Sequence, residues 1–561
     1  MKKLRWQILV VVVTLIVVAV LLLAQKPSTN PILPAPASGG IYTEAMVGSF
    51  GRLNPLLDLN NPADRAVDRL LFSGLIRFDS KGVPQPDLAE SWGVSADGTI
   101  YNVTLRDNAV WQDGTPVTSD DVLFTLNLLR SPNSAFSADV RSMWDQVQIT
   151  RINDKNLKFV LTEPFVPFLD YLTFGILPEH LLQSVSADQL VDSSFNLAPV
   201  GTGPYKFDHL MVDNGKITGV VLSVSANYYL QTSFIDQIVF RYYPDAKSAL
   251  EAYKAGEVLG ISQITPDILD AALAEPNLNL YSSRLPRMTL VLLNLGDDTL
   301  PFFQDAKVRR ALLLGLNRQW MVDNVLQGQA IVADSPILPG TWAYYDGIEH
   351  VGFDSDAAAA QLKAAGYVIP ANGSIRAKGD TSLSFTMAYP DDSLHAQLAQ
   401  TIQQNWADIG VEVKLQAVSY DSLLNDYLTP RKYQAVLVDL DLSRSYDPDP
   451  YPFWHQAEKT GGQNYSQWDN RSASEYIEQA RVLADPNIRA RLYRNFQVIF
   501  ARELPALLLY YPVYTYGVDQ RVDGVQATPL FEPADRFNGI INWYLVTKRS
   551  LDQTKQPTVT P

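Results

Sequence analysis

The chain contains no cysteine among its 561 residues. That absence excludes disulfides, thiolate metal sites and a cysteine nucleophile together, and it also excludes a lipid-modified N-terminal cysteine. Histidine is scarce: the five residues His180, His209, His350, His395 and His455 are scattered, with no pair at the helical spacing that holds a metal. There is neither a Gly-x-Ser-x-Gly elbow nor a Gly-x4-Gly-Lys-Ser/Thr phosphate loop, and Gly201-Thr202-Gly203 runs into Pro204 where a dinucleotide loop would open its helix. The acidic pair Asp120-Asp121 falls in a first helical turn, where the helix dipole stabilises negative charge, so it reads as scaffold. These negatives predict no enzyme, no cofactor and no bound metal. Basic charge is outnumbered, 45 Lys and Arg against 60 Asp and Glu, for a net charge of -15. Such a surface repels phosphate backbones, so no nucleic-acid partner is expected.

What the chain does have is length and an ordinary globular balance, 47% apolar and 19% charged residues. A single hydrophobic core does not normally organise so many residues, which implies at least two lobes. At the N-terminus Lys2, Lys3 and Arg5 precede an apolar run from Ile8 to Ala24, nearly long enough to span a bilayer core. Residues 1–25 therefore read as a signal anchor, a transmembrane segment holding everything after Gln25 on the extracytoplasmic side. The alternative is a signal peptide whose cleavage releases a secreted protein, but cleavage after Ala24 would put Leu22 where a small residue is wanted. Residues 26–40, rich in Pro and Ser, read as a tether, and 547–561 as a disordered tail. Only about seven residues precede the apolar run, too few to carry a signal inward.

Local patterns point to an α/β fold. Around LRDNAVWQDGTPVTSDDVLFTLNLL, residues 105–129, Val103, Leu105 and the Ala109–Trp111 run look like strand and Asp113-Gly114 like a turn. Thr118 with Asp121 forms a capping box for a helix with Val122, Leu126 and Leu129 on one face. Ser393 is read as the cap of a helix carrying Leu394, Leu398, Ile402, Trp406 and Ile409, ended by Gly410. Val411, Val413 and Leu415 then alternate as a strand. Asp305 opens a further helix, and an alanine-rich helix stops at Gly366. Helix-then-strand units of this kind imply sheets covered by helices.

The segment from Pro84 to Leu129 resembles the signature region of the family 5 extracellular solute-binding proteins, the dipeptide and oligopeptide or nickel receptors of ABC transporters. Further matches follow in the family's order: GSFGRLNPLLD from Gly48, LLFSGLIRFD from Leu70, PVGTGPYKF from Pro199, the stretch Phe302 to Ala330, QLKAAGY from Gln361, and Asp-Pro-Asp-Pro at Asp447 to Pro450. The resemblance implies a two-lobed periplasmic-binding-protein-like fold of type II, with a discontinuous first lobe at 41–80, 201–284 and 510–546, a small subdomain at 81–200 and a second lobe at 285–509. It also implies a monomeric receptor that closes on a solute, most readily an oligopeptide, and delivers it to a permease and its ATPase. A non-peptide solute such as an oligosaccharide or metal chelate, or a sensor uncoupled from transport, are the alternatives.

In peptide-binding members an aspartate shortly before the Asp-Pro segment pairs with the ligand's α-ammonium. Here that stretch reads LVDLDLSRSYDPDPYPFWHQ from Leu437, and Asp439 and Asp441 lie eight and six residues before Asp447. If both sit in a strand they share one face, with Val438, Leu440 and Leu442 on the other. Arg444 would favour a carboxylate or polyol, or pair with Asp447 as a loop residue. Tyr42, Trp454 and Trp468 complete the candidate ligand-binding set, with a core or surface role as the alternative for each.

Overall fold

The computed structural model describes residues 34–136, 138–443 and 446–549, so the segment read as a signal anchor lies outside the described residues, as does Arg444. Among the described residues no helix is long and apolar enough to cross a membrane. Two expectations at the chain's ends change. Pro34–Ala37, inside the supposed tether, pairs antiparallel with Val546–Arg549, which takes in the first residues of the supposed tail. Alternate prolines hold φ near the extended region, and a two-stranded ribbon tolerates their missing N–H groups.

A twelve-stranded sheet runs through both lobes. In the first lobe Ile41–Val47 lies parallel to Gln237–Tyr243 and to Gly260–Ile264. In the second, Ser384–Pro390 lies parallel to Glu412–Val418 and to Ala435–Asp441. One strand serves both halves. Ala506–Asp519 pairs with Arg287–Leu293 through residues Ala506 to Tyr510, and with Leu278–Arg284 through Val513 to Asp519. Its fourteen residues are nearly all buried, as a central strand covered on both faces requires. Separate cores flank the sheet. One gathers Tyr42, Leu70, Phe240 and Trp543 in the first lobe. In the second lobe, Val291, Leu312, Trp406 and Leu437 form a core on one face. Val438, Leu440, Trp454 and Phe500 form another on the opposite face.

The small subdomain is a four-stranded antiparallel sheet, Ala89–Val94, Ile100–Leu105, Asn156–Val160 and Gln148–Asn153 in spatial order. The helix Ser119–Arg130 packs on it with the Thr118–Asp121 capping box in place. The Ala109–Trp111 run is not a strand: it makes one bridge, Val110 to Pro116, because Trp111 turns inward to full burial instead of extending a ladder. Ser393 is not a cap either. Asp392 takes that place, its carboxylate accepting from the His395 amide, and Ser393 is the first helical residue.

Gly201-Thr202-Gly203, unremarkable as chemistry, has a steric purpose. The segment lies directly on the last turn of the helix Pro62–Leu71, where the Gly203 amide donates to the Leu71 carbonyl at 2.8 Å. A Cβ on Gly201 would stand 1.8 Å from that carbonyl oxygen, and one on Gly203 would stand 2.2 Å from the Leu70 oxygen. Only glycine permits this approach. The helix it fixes carries Arg65, Asp68 and Arg69 into the functional region.

Candidate functional site

The interlobe cleft is built from four short segments that the fold brings together. The first lobe contributes Leu59, Pro62 and Arg65 near the start of the Pro62–Leu71 helix, and Phe531 to Ala534. The hinge contributes Leu285, Pro286 and Arg287, and the second lobe Asp441 and Ser443, around a cavity of about 280 Å³. Pro286 lies between the consecutive strands Leu278–Arg284 and Arg287–Leu293, which pair with different halves of Ala506–Asp519, and Arg287 stands exposed at the second strand's start.

Arg287 and Asp441 stand opposite one another on adjacent antiparallel strands. The strand Ala435–Asp441 alternates as the sequence requires: Val436, Val438 and Leu440 enter one core, Leu437 enters another, Asp439 is half-buried and Asp441 exposed. The two aspartates share a face but not a situation. Asp439 accepts from the Thr289 hydroxyl, and its carboxylate lies 3.7 Å from His395 Nε2. The other nitrogen of that ring, Nδ1, lies 2.6 Å from Asp392. Burial works against both charges. It is nevertheless outweighed: His395 and Thr289 hold the Asp439 carboxyl below the usual carboxylate range, while Asp439 and Asp392 hold His395 above the usual imidazole value. Asp439 is thus engaged within its own lobe. Asp441, which accepts only a local bond from the Ser443 amide at 2.8 Å among those described, lines the cleft.

The remaining candidates fall elsewhere. Tyr42 is fully buried, donates to Glu44 at 2.8 Å and meets Trp543 edge-on, with Glu44 in turn paired to Arg536 at 2.6 Å. Trp454 packs edge-on against Phe500, and Trp468 donates to Glu503 from the same core. Asp447 is buried against Arg489 at 2.7 Å, and its amide donates to Asp170 of the small subdomain. For Tyr42, Trp454 and Trp468 the core alternative holds, which the sequence left open because aromatic residues are abundant throughout the chain. Two cleft features were missed altogether. Tyr420 is more than half exposed and lies within electrostatic reach of Asp439, Arg287 and Asp441. Its Ser-Tyr-Asp-Ser setting carries no signal.

The second missed feature is a larger cavity of about 360 Å³ that continues from the cleft, sharing Leu59, Arg65, Ser443, Phe531 and Glu532 with it, and runs between the first lobe and the small subdomain. On its wall Arg65 bridges Asp58 at 3.5 Å and Glu532 at 2.9 Å, and Arg69 reaches Glu532 and Asp535. A stack of rings closes one side: Tyr446 of the second lobe lies flat on Phe78 with centroids 4.7 Å apart, and tilted against Phe531 at the same separation.

Two lobes on a shared sheet enclose a charged and aromatic groove, the arrangement of a solute-binding protein. The chain belongs to the bacterial extracellular solute-binding proteins of family 5, whose middle-region model matches residues 83–464. It is similar to the oligopeptide-binding protein AppA of Bacillus subtilis, 26% identical over 97% of this chain and 99% of that protein. It is also similar to the dipeptide-binding protein of Escherichia coli, 26% identical over 86% and 91%. Among solved structures, AppA of Bacillus subtilis with a nonapeptide matches with a TM-score of 0.65 at 25% identity, covering 91% of this chain and 100% of that one. NikZ of Campylobacter jejuni with Ni(L-His) matches with the same score and identity, covering 90% and 99%.

Proposed function

We propose that the protein captures an oligopeptide between its lobes and delivers it to an ABC transporter permease and its ATPase, acting as a monomer held at the extracytoplasmic face by residues 1–25. The observation that carries this reading is the placement of Asp441 and Arg287 opposite one another on the cleft wall. A peptide with free ends presents an ammonium and a carboxylate, and a desolvated cleft rewards a partner for each. Of the two aspartates, Asp441 is the one with its carboxylate turned to the cleft, so it takes the ammonium. The peptide-binding names of the relatives support the same class of ligand.

Calorimetric titration of the purified protein with peptides of two to nine residues tests it. Peptides with free N-termini bind, and N-acetylation weakens binding by about tenfold or more. Equal affinity for acetylated and free peptides removes the ammonium anchor, and binding of neutral oligosaccharides or nickel chelates in place of any peptide removes the peptide reading.

A further inference from the structure

Carboxylates outnumber guanidinium groups along the larger cavity, with Asp58, Asp68, Asp87, Asp170 and Glu532 set against Arg65, Arg69 and Arg77. Asp68, on the buried face of the helix Pro62–Leu71 and in the cavity wall, is 3% exposed, and among the described residues neither of its carboxylate oxygens has a hydrogen-bond partner. Its neighbours cannot serve it. Arg65 is committed to Asp58 and Glu532, and Arg69 to Glu532 and Asp535, so two guanidinium groups already face three carboxylates. Burial is the chief influence on both Asp58 and Asp68. It pushes Asp58 up to about 7 and holds Asp68 well above the usual range, with Asp58 adding to the burden on Asp68. Burial therefore favours the uncharged form of this carboxyl, and a cationic group brought beside it would offset that cost and restore the charge.

We propose that this chamber is a subsite for a basic group, an ammonium or guanidinium, which enters from the cleft and is met by Asp68 with Asp58 beside it. The apolar parts of the wall suit the methylene stem such a group carries, since Phe72 and Trp144 line the same space. Because the chamber opens into the cleft through shared lining residues, a ligand lying in the cleft can send a side chain into it. The inference rests on the reading of the cleft as a peptide site and adds to it a preference for lysine or arginine at one position of the peptide.

The test uses the full chain and a set of tetrapeptides in which lysine, arginine or norleucine is placed at each position in turn. At one position lysine or arginine binds about a hundredfold more tightly than norleucine, and Asp68→Asn brings that ratio close to one. Asp58→Asn lowers the same ratio, and it stands in if Asp68→Asn fails to fold by circular dichroism. Peptide binding with no basic preference at any position overturns the subsite while leaving the peptide-receptor reading intact, and so does a preference that survives Asp68→Asn. If no peptide binds, the peptide reading fails and the free cations lysine, agmatine and putrescine decide the subsite: binding that Asp68→Asn abolishes supports it, and no binding overturns it.

Discussion

Asp447 and Arg489 form a buried ion pair, with Oδ2 and Nη1 2.7 Å apart and both side chains less than a tenth exposed. Burial opposes the Arg489 charge, yet the Asp447 carboxylate holds that guanidinium above its ordinary range. The pair therefore stabilises mainly by avoiding an orphaned charge. Asp447→Asn leaves Arg489 uncompensated and is expected to cost about 3–5 kcal/mol of stability, whereas the double variant Asp447→Asn with Arg489→Met costs distinctly less. Urea unfolding of the two variants checks this. A double variant as unstable as the sum of the single ones would show that the two side chains do not act as a pair.

The two aspartates of the strand Ala435–Asp441 are expected to separate binding from stability. Asp441→Asn weakens binding of a free-amino peptide by roughly a hundredfold or more, with little effect on the melting of the empty protein. Asp439→Asn removes the negative charge that faces His395 and leaves Thr289 only a weaker amide acceptor, which costs about 1–3 kcal/mol of stability, with the smaller effect on affinity. Titration calorimetry and thermal melts on the same preparations read both quantities. The reverse pattern would move the anchor to Asp439.

His395 gives the fold a pH dependence of defined sign. Its folded pKa is raised, so the stability it contributes is fully present below its unfolded value of about 6.5 and is lost as pH rises through the higher folded value. Asp392 and Asp439 face the ring, and Arg287 adds a positive charge near Asp439. The difference in urea midpoint between the parent and His395→Gln should be largest near pH 6 and shrink toward pH 9. A gap that widens with pH contradicts the assignment.

Gly201→Ala tests the contact behind the Gly-Thr-Gly segment. The added methyl group has no space against the Leu71 carbonyl, so helix and segment must part, at a cost of about 1–3 kcal/mol or more. Since the displaced helix carries Arg65, peptide affinity falls along with stability. A stable variant with parental affinity would mean the helix position does not matter to the cleft.

Much of the scaffold was legible because its signals are local. The Thr118–Asp121 box, the Asp305 cap and the glycine stops at Gly366 and Gly410 each involve residues within a few positions of one another. The alternation that puts Asp439 and Asp441 on one face is equally local. What distinguishes them is not, since it depends on His395 and Thr289, both far away in sequence. The same holds for Asp68: nothing in Pro-Ala-Asp-Arg-Ala-Val-Asp-Arg says that Asp68 ends without a partner while Asp64 accepts from the Gly51 and Arg52 amides. Trp454 and Trp468 could be read as cleft or core from sequence, and only the packing against Phe500 separates the two readings.

The strand Ala506–Asp519 has a consequence for how this molecule can be taken apart. Because it is hydrogen-bonded on one half to Arg287–Leu293 and on the other to Leu278–Arg284, neither lobe owns it, and no single cut in the chain yields two fragments that each keep a complete sheet. The lobes are therefore not modules to be expressed separately or exchanged between relatives at one junction. Any rearrangement of the lobes therefore has to pass through this shared strand, whose two halves are hydrogen-bonded to different lobes.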